Sequence, residues 1–482
     1  MPAPKNLNEL ETDLARDLAL LNFPPAAWVP EANTDDGRQV QDVVIAGAGM
    51  LGLTASFALR RQGIVRQRIL DRAQPGREGP WVTYARMTTL RSPKHLSGPC
   101  MGIPSLTFRA WYEAQFGPAA WESLGKIPRA MWMDYLNWYR KVLAVPVESS
   151  THVTAIDPAA HGLDVHLLHA DGSEEVAAAR KLVLATGREG QARRRIPAPF
   201  LPFYGAEVSH TADEIDFTLL AGKDVAVIGL GASAIDNAAC ALEAGAASVT
   251  IMARAPEVPR INKAKGIVYG GFVEGLPVLP PEWRLKLLDY IASFRVAPPR
   301  DSVLRVFQHP NARLVLDAPV LSAGKKGGGL CLETSLGQIV ADHVILGTGF
   351  AIDLSAAPEI AGFAGNIRTH ADSLAQTAKP DQAEWLAFPD LSPSFHFQER
   401  QQDKTPFIKN IYCFTYSAAL SHGNVSGDIP SVSEGAERLA RGMATDLFRD
   451  GLQEHWQALE RFDDPELFGD EIEGPVAWHP PL

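Results

Sequence analysis

The 482-residue chain is 46% apolar and 21% charged, an ordinary globular balance that excludes wholesale disorder and leaves no apolar run long enough for a membrane span. Its formal charge of −11 gives no electrostatic reason to bind nucleic acid or an anionic membrane. Cys100, Cys240, Cys331 and Cys413 are too far apart for a CxxC redox pair, a zinc motif or a disulfide framework, so no metal is expected.

Leu7, Leu10, Leu14, Leu18 and Leu21 recur at helical spacing and predict an amphipathic helix over residues 5–22, ended by Pro24 and Pro25. The acidic start lacks a charged-then-apolar leader, so the expected compartment is the cytoplasm. The stretch VVIAGAGMLG follows. Val43 to Ala46 reads as a buried parallel strand, and Gly47, Gly49 and Gly52 supply GxGxxG where a helix begins. Gly47 permits the tight turn, Gly49 lets backbone approach a pyrophosphate, and Gly52 lets helix and strand pack closely. A lone glycine-rich turn can also serve packing. Here Arg68 to Leu70 reads as a second strand ending at Asp71, nineteen residues after Gly52, where such a unit places an acid on a ribose hydroxyl, with Arg72 beside it.

After a turn-rich segment, Thr151 to Ile156, Asp164 to Leu168 and Glu175 to Ala179 alternate like strands around an Asp171-Gly172 turn. KLVLATG closes the unit with Ala185, Thr186 and Gly187. The same grammar then returns: strand, the GxGxxA turn of Gly229, Gly231 and Ala234 with Ala232 and Ser233 inside it, helix, and strand Val249 to Met252. Where the first unit has Asp71, this one has Arg254. A carboxylate repels a 2′-phosphate and a guanidinium pairs with it, so the second unit is expected to take NADPH. Arg260, Lys263 and Lys265 add positive charge, although a solvated basic loop reads the same way. A helix around Trp283 to Phe294, a strand meander from Arg313 to Thr334 and a closing strand HVILGTGF at 343–350, with Thr348 and Gly349, complete the repeat. NIYCFTYSAAL then predicts a strand, Ser433 to Arg449 a helix, and residues 463–482 an extended arm.

The expected fold class is α/β with two Rossmann-like dinucleotide-binding domains. Residues 1–212 and 346–482 are expected to form the first of these domains, into which the NADPH-binding domain at 213–345 is inserted.

This order of motifs resembles the class B flavin-dependent monooxygenases, single chains that bind FAD and NADPH on two such units. GAGMLG with Asp71, GLGASA, LATG and LGTGF carry the resemblance over nearly the whole chain. TTLRSPK at 88–94, IPRAMWMDYLNW at 127–138 and the His422-Gly423 pair look like the N-hydroxylating branch. That likeness implies that Met87, Thr88, Thr89 and Leu90 lie along the flavin ring, with Trp81 walling the pocket and Val153 also at the cofactor. Trp81 as a core aromatic and Met87 as a gap-filler are the plainer alternatives. Asp428 is placed near the flavin, or else Asp428 or Ser431 caps the last helix.

Two departures bear on the substrate. The position where amino-acid N-hydroxylases carry a carboxylate-binding lysine is Ala85, with Arg86 adjacent. The FxGxxxH fingerprint has Phe203 and Gly205, but His210 comes one residue late. His210 and Arg300 are the catalytic candidates that the resemblance offers. The implied activity is insertion of one atom of O2 into a small organic substrate through a flavin C4a-(hydro)peroxide, first as N- or S-oxygenation. Baeyer–Villiger oxygenation and NAD(P)H-dependent flavoprotein reduction are the alternatives. The expected partners are the substrate and O2, and assembly with further copies of the chain is left open.

Overall fold

A computed structural model describes residues 6–468 and residue 471. The apolar run expected as the first strand is β1 (Gln41–Ala46), buried from Asp42 onward. It is joined by β2 (Gln67–Asp71), β3 (Val147–Ser149), β4 (Thr151–Ala159), β5 (Gly162–His169) and β6 (Glu174–Leu184). β1 lies between β2 and β6, all parallel, with β3 outside β2. β4 and β5 form an antiparallel meander onto the first half of β6. The strand expected at Glu175 to Ala179 and the KLVLATG strand are therefore one. Its first half is a hairpin partner, and its second half enters the fully buried parallel sheet.

The second unit follows the same plan. It contains β7 (Ala192–Arg194), β8 (Val208–His210), β9 (Asp224–Ile228), β10 (Ser248–Met252), β11 (Ala312–Val315), β12 (Val320–Lys326), β13 (Gly329–Thr334), β14 (Gly337–Ala341), β15 (His343–Leu346) and β16 (Phe350–Ile352). The last strand, β17 (Ile411–Cys413), returns to the first sheet and runs parallel to β6. The second sheet has the order β11-β10-β9-β15-β8 and is parallel throughout. The parallel part of the first sheet, β3-β2-β1-β6-β17, has the same order. β8 precedes residue 213, so the second sheet draws its edge strand from the linker. β11 leaves the meander for that sheet, β12 to β14 pair antiparallel, and β7 pairs antiparallel with β16.

NIYCFTYSAAL is a strand only as far as Cys413, because the Thr415 hydroxyl accepts from Ser417 N–H and turns the chain. The helices Leu7–Leu20 and Pro281–Ser293 lie where periodicity places them. Helix Val432–Asp450 packs across the helix of the first glycine turn, Met50–Arg61. The arm expected over 463–482 falls outside the described residues beyond Phe468, apart from residue 471. No helix among the described residues is long and apolar enough to cross a membrane.

Candidate active site

The first glycine turn is fixed by contacts that leave no room for side chains. Gly47 has φ of +103°, and a Cβ there would stand 2.5 Å from the Ala185 carbonyl oxygen. A Cβ on Gly52 would stand 1.8 Å from the Gly47 oxygen. Gly49 differs: the nearest atom to an added Cβ is 3.8 Å away, on Gly79. It is the N-cap of Met50–Arg61, and no side chain caps those amides. The Thr186 hydroxyl is buried nearby in sequence to Ala185 and has no partner among the described residues. An uncapped helix start and an orphaned hydroxyl just after β6 suit a bound pyrophosphate cofactor. Gly187, at φ +73°, turns the chain away after Thr186.

Asp71 is 8% exposed. Its carboxylate accepts from Ala48 N–H at 2.7 Å and Ala73 N–H at 2.8 Å, so the acid expected at a ribose also braces the glycine turn. Arg72 is largely exposed and faces Glu189 at 3.7 Å. The Val153 side chain is part of the main core.

The second turn repeats this geometry in a more open setting. Gly229 has φ of +121°, with a Cβ position 2.5 Å from the Gly347 oxygen. Ala234 replaces a third glycine because Gly347 faces it: a Cβ on Gly347 would come within 2.4 Å of the Ala234 Cβ. Gly231 caps Ala232–Glu243, is exposed, and has nothing within 4 Å of an added Cβ. Ala232 is buried, whereas Ser233 is exposed with its carbonyl accepting from Asn237. Arg254 is exposed after β10. Lys263 lies over the rings of Phe294 at 4.6 Å and Tyr290 at 5.8 Å. Its charge is held by aromatic faces, which the sequence alone did not indicate.

Between the turns lies the loop expected along the flavin ring. Leu90 N–H donates to Ile127 O at 2.8 Å and Arg129 N–H to Thr88 O at 3.0 Å, so the TTLRSPK and IPRAMW runs pair through a Thr89–Pro128 bridge. Arg129 also donates to the carbonyls of Met87, at 2.9 Å, and Trp81. Leu90 is the core anchor at 1% exposure. Trp81, Met87 and Thr89 are half-buried and Thr88 is exposed, with Trp81 edge-on to Trp132 at 6.2 Å. Arg129 escaped sequence reasoning, and its signal was the adjacency of the two runs.

A family model described as pyridine nucleotide-disulphide oxidoreductase matches residues 44–267, a span that takes in both glycine turns. An FAD-dependent urate hydroxylase of Xanthomonas campestris pv. campestris is 37% identical over 469 residues, 96% of this chain and 98% of that protein. The chain belongs to the flavin-dependent monooxygenase family. Solved structures agree in fold. An ornithine hydroxylase of Pseudomonas aeruginosa superposes with a TM-score of 0.64 at 18% identity, over 85% of this chain and 100% of that one. A Kutzneria ornithine N-hydroxylase, solved with reduced FAD, NADP+ and L-ornithine, gives 0.63 at 15% identity, over 84% and 99%.

In this monooxygenase the seam between the two units is built from residues that sequence reasoning placed at the chemistry. His210 is fully buried. Its Nδ1 accepts from Ala212 N–H at 3.2 Å, which leaves Nε2 to donate to the Gly349 carbonyl at 3.1 Å. Burial pushes its pKa down, so the ring is a neutral joint with both nitrogens engaged. Gly349 O also accepts from Arg195 N–H at 3.0 Å, and the Thr348 hydroxyl donates to Arg195 O, which ties both residues into the seam. Arg86 is turned the same way, toward Thr83 O and over the Phe217 ring at 5.4 Å.

Arg300 is exposed at the start of helix Arg300–Phe307, and its neighbour Asp301 pairs with Lys126 at 2.7 Å. Asp428 accepts from Ile429 N–H at 2.9 Å and from Asn424 at 3.3 Å, and burial raises its pKa. Neither it nor Ser431 caps helix Val432–Asp450, whose start carries no side-chain cap. One further tie crosses the seam. Arg91, next after Leu90, pairs at 3.2 Å with Asp236, which is 1% exposed on the second turn helix.

Proposed function

We propose that this monooxygenase uses FAD and NADPH to transfer one atom of O2 to a flat, nitrogen-rich heterocycle of the oxopurine class, with urate as the first candidate. The observation that carries this reading is the near full-length similarity to a urate hydroxylase. It favours hydroxylation of a ring over the N- or S-oxygenation suggested by resemblance to the N-hydroxylating branch. Ala85 supports the same choice. The amino-acid N-hydroxylases resembled here carry a lysine at that position for the substrate carboxylate, and Arg86, turned into the seam, does not replace it.

Bound FAD would supply hydride acceptance and oxygen activation, chemistry that amino-acid side chains lack. The chain's own contribution is placement and exclusion of water. The uncapped start of Met50–Arg61, with Gly49, would hold the FAD pyrophosphate, and Asp71 would meet its ribose. The Trp81 to Leu90 loop, held by Arg129 and anchored through Leu90, would wall the ring. Gly231 and Arg254 would seat NADPH, with Arg254 on the 2′-phosphate. Arg91 and Asp236 would keep the nucleotide helix against that wall while the two cofactors meet.

The test mixes purified holoenzyme with NADPH and urate, and follows NADPH oxidation, O2 uptake and product mass. The expected result is urate-stimulated NADPH oxidation and a product one oxygen heavier. Oxidation untouched by urate and related oxopurines, together with hydroxylamine formation from ornithine or lysine, would overturn the reading.

A further inference from the structure

The described surface leaves two zones of large apolar side chains uncovered. In the first, helix Pro281–Ser293 buries Arg284 and Leu285 against the body and turns Trp283 and Tyr290 outward, 51% and 56% exposed. Lys286 lies over the Trp283 ring at 4.3 Å, next to the Lys263–Phe294 contact. In the second, helix Leu452–Glu460 has no buried residue. Leu452, Trp456 and Leu459, spaced i, i+4, i+7, form a stripe that is 55%, 55% and 67% exposed. This helix meets the body through His455, which stacks on Phe448 at 4.9 Å and approaches Trp28 at 5.6 Å.

We infer that the two zones dock onto each other between two copies of this chain, the Leu452–Glu460 helix of each copy lying on the Trp283 face of the other. Charge complementarity supports the pairing. Residues 260–295 hold six Lys and Arg against three Asp and Glu, whereas residues 448–468 hold six Asp and Glu against two Arg. Stability supports it as well: a nine-residue helix is marginal in water on its own, and its apolar stripe stays more than half exposed within the described residues.

The available area is adequate. Eight large apolar side chains at 283–294 and 448–462 are at least a third exposed. At roughly 100 Å² of open surface each, they offer on the order of 800 Å² per copy, the size of one side of a standard interface. Two reciprocal contacts about a two-fold axis close the assembly, so no open filament results.

The experiment measures the mass of the holoenzyme by sedimentation across a concentration series, for wild type, Trp283→Glu and Trp456→Glu. The expected wild-type mass is a dimer, and each variant should dissociate at least about thirtyfold more readily, as loss of an interface anchor does. Because both tryptophans are exposed, FAD content and melting temperature of each variant should match wild type. An equimolar mixture of the two variants regains one intact contact and should associate more tightly than either alone. A wild-type monomer at all concentrations overturns the proposal. So does a dimer that only Trp456→Glu disrupts and mixing fails to restore, which is the result for helix-to-helix contact between identical faces. An oligomer unmoved by both variants overturns it too.

Discussion

The two glycine turns share a strand order and differ in burial. In the first, all ten residues from Met50 to Leu59 are buried, and Asp71 closes over the turn by accepting from Ala48. In the second, Gly231 and Ser233 are exposed and the charge beyond the next strand, Arg254, stands in solvent. One topology therefore yields an enclosed seat and an open one. On the proposed function this separates a cofactor that remains bound from one that enters and leaves at each turnover.

The largest expected contrast comes from adding one methyl to each turn. Gly52→Ala drives a Cβ into the Gly47 carbonyl and should cost about 3 kcal/mol or more, giving protein that melts early and purifies without flavin. Gly231→Ala meets nothing within 4 Å. It should keep wild-type flavin content, shift stability by less than about 1 kcal/mol and raise the KM for NADPH, because the methyl occupies space the pyrophosphate needs. Flavin absorbance per chain and melting temperature measure the difference. Equal behaviour of the two variants would erase the distinction between the seats.

Acid should weaken the segment that returns to the first unit. His370 and His422 are buried there, their pKa values lowered by desolvation to about 4 and about 3. Above pH 6.5 both folded and unfolded chains hold these rings neutral. As pH falls below that value the unfolded chain takes up protons that the folded chain refuses, so stability declines by about 1 kcal/mol per pH unit for each histidine until the folded pKa is reached. Melting temperature should drop steadily from pH 6.5 to pH 5, and His370→Gln should reduce the slope. A flat profile would contradict the burial seen here.

Arg254 tests the open seat. Arg254→Ala should raise the KM for NADPH about tenfold and leave that for NADH unchanged, the loss of one charge-assisted contact to a 2′-phosphate. Steady-state kinetics with both cofactors reads this directly, and an equal effect on the two would remove Arg254 from the phosphate site.

The duplicated strand order was legible in the sequence because fully buried parallel strands write themselves as short apolar runs before glycine turns. The positions of Gly47, Gly52 and Gly229 were legible for a related reason: backbone carbonyls stand where their side chains would be. What stayed hidden depends on contacts distant in sequence. Arg129 reaches back across the chain to Met87, and Arg91 reaches forward to Asp236, 145 residues on. For Lys263, spacing shows a cation but not the Phe294 and Tyr290 rings it lies over.

His210 offers the finest test, because a proton-transferring role and its observed geometry predict different things. A general acid or base must exchange a proton in each turnover, yet Nδ1 accepts from Ala212 and Nε2 donates to Gly349 within a site closed to solvent. His210→Gln keeps one side-chain donor and one acceptor but changes their separation, so one of the two bonds should weaken, at about 1 kcal/mol. The expected outcome is a melting temperature a few degrees lower and a kcat within a fewfold of wild type, with a pH–rate profile of unchanged shape. A residue that moved a proton would instead remove one limb of that profile and lower kcat by a hundredfold or more, on the order seen for general acid–base groups. The shape of the profile therefore decides between the two roles, since a joint that merely loosens the seam alters rate without altering ionisation.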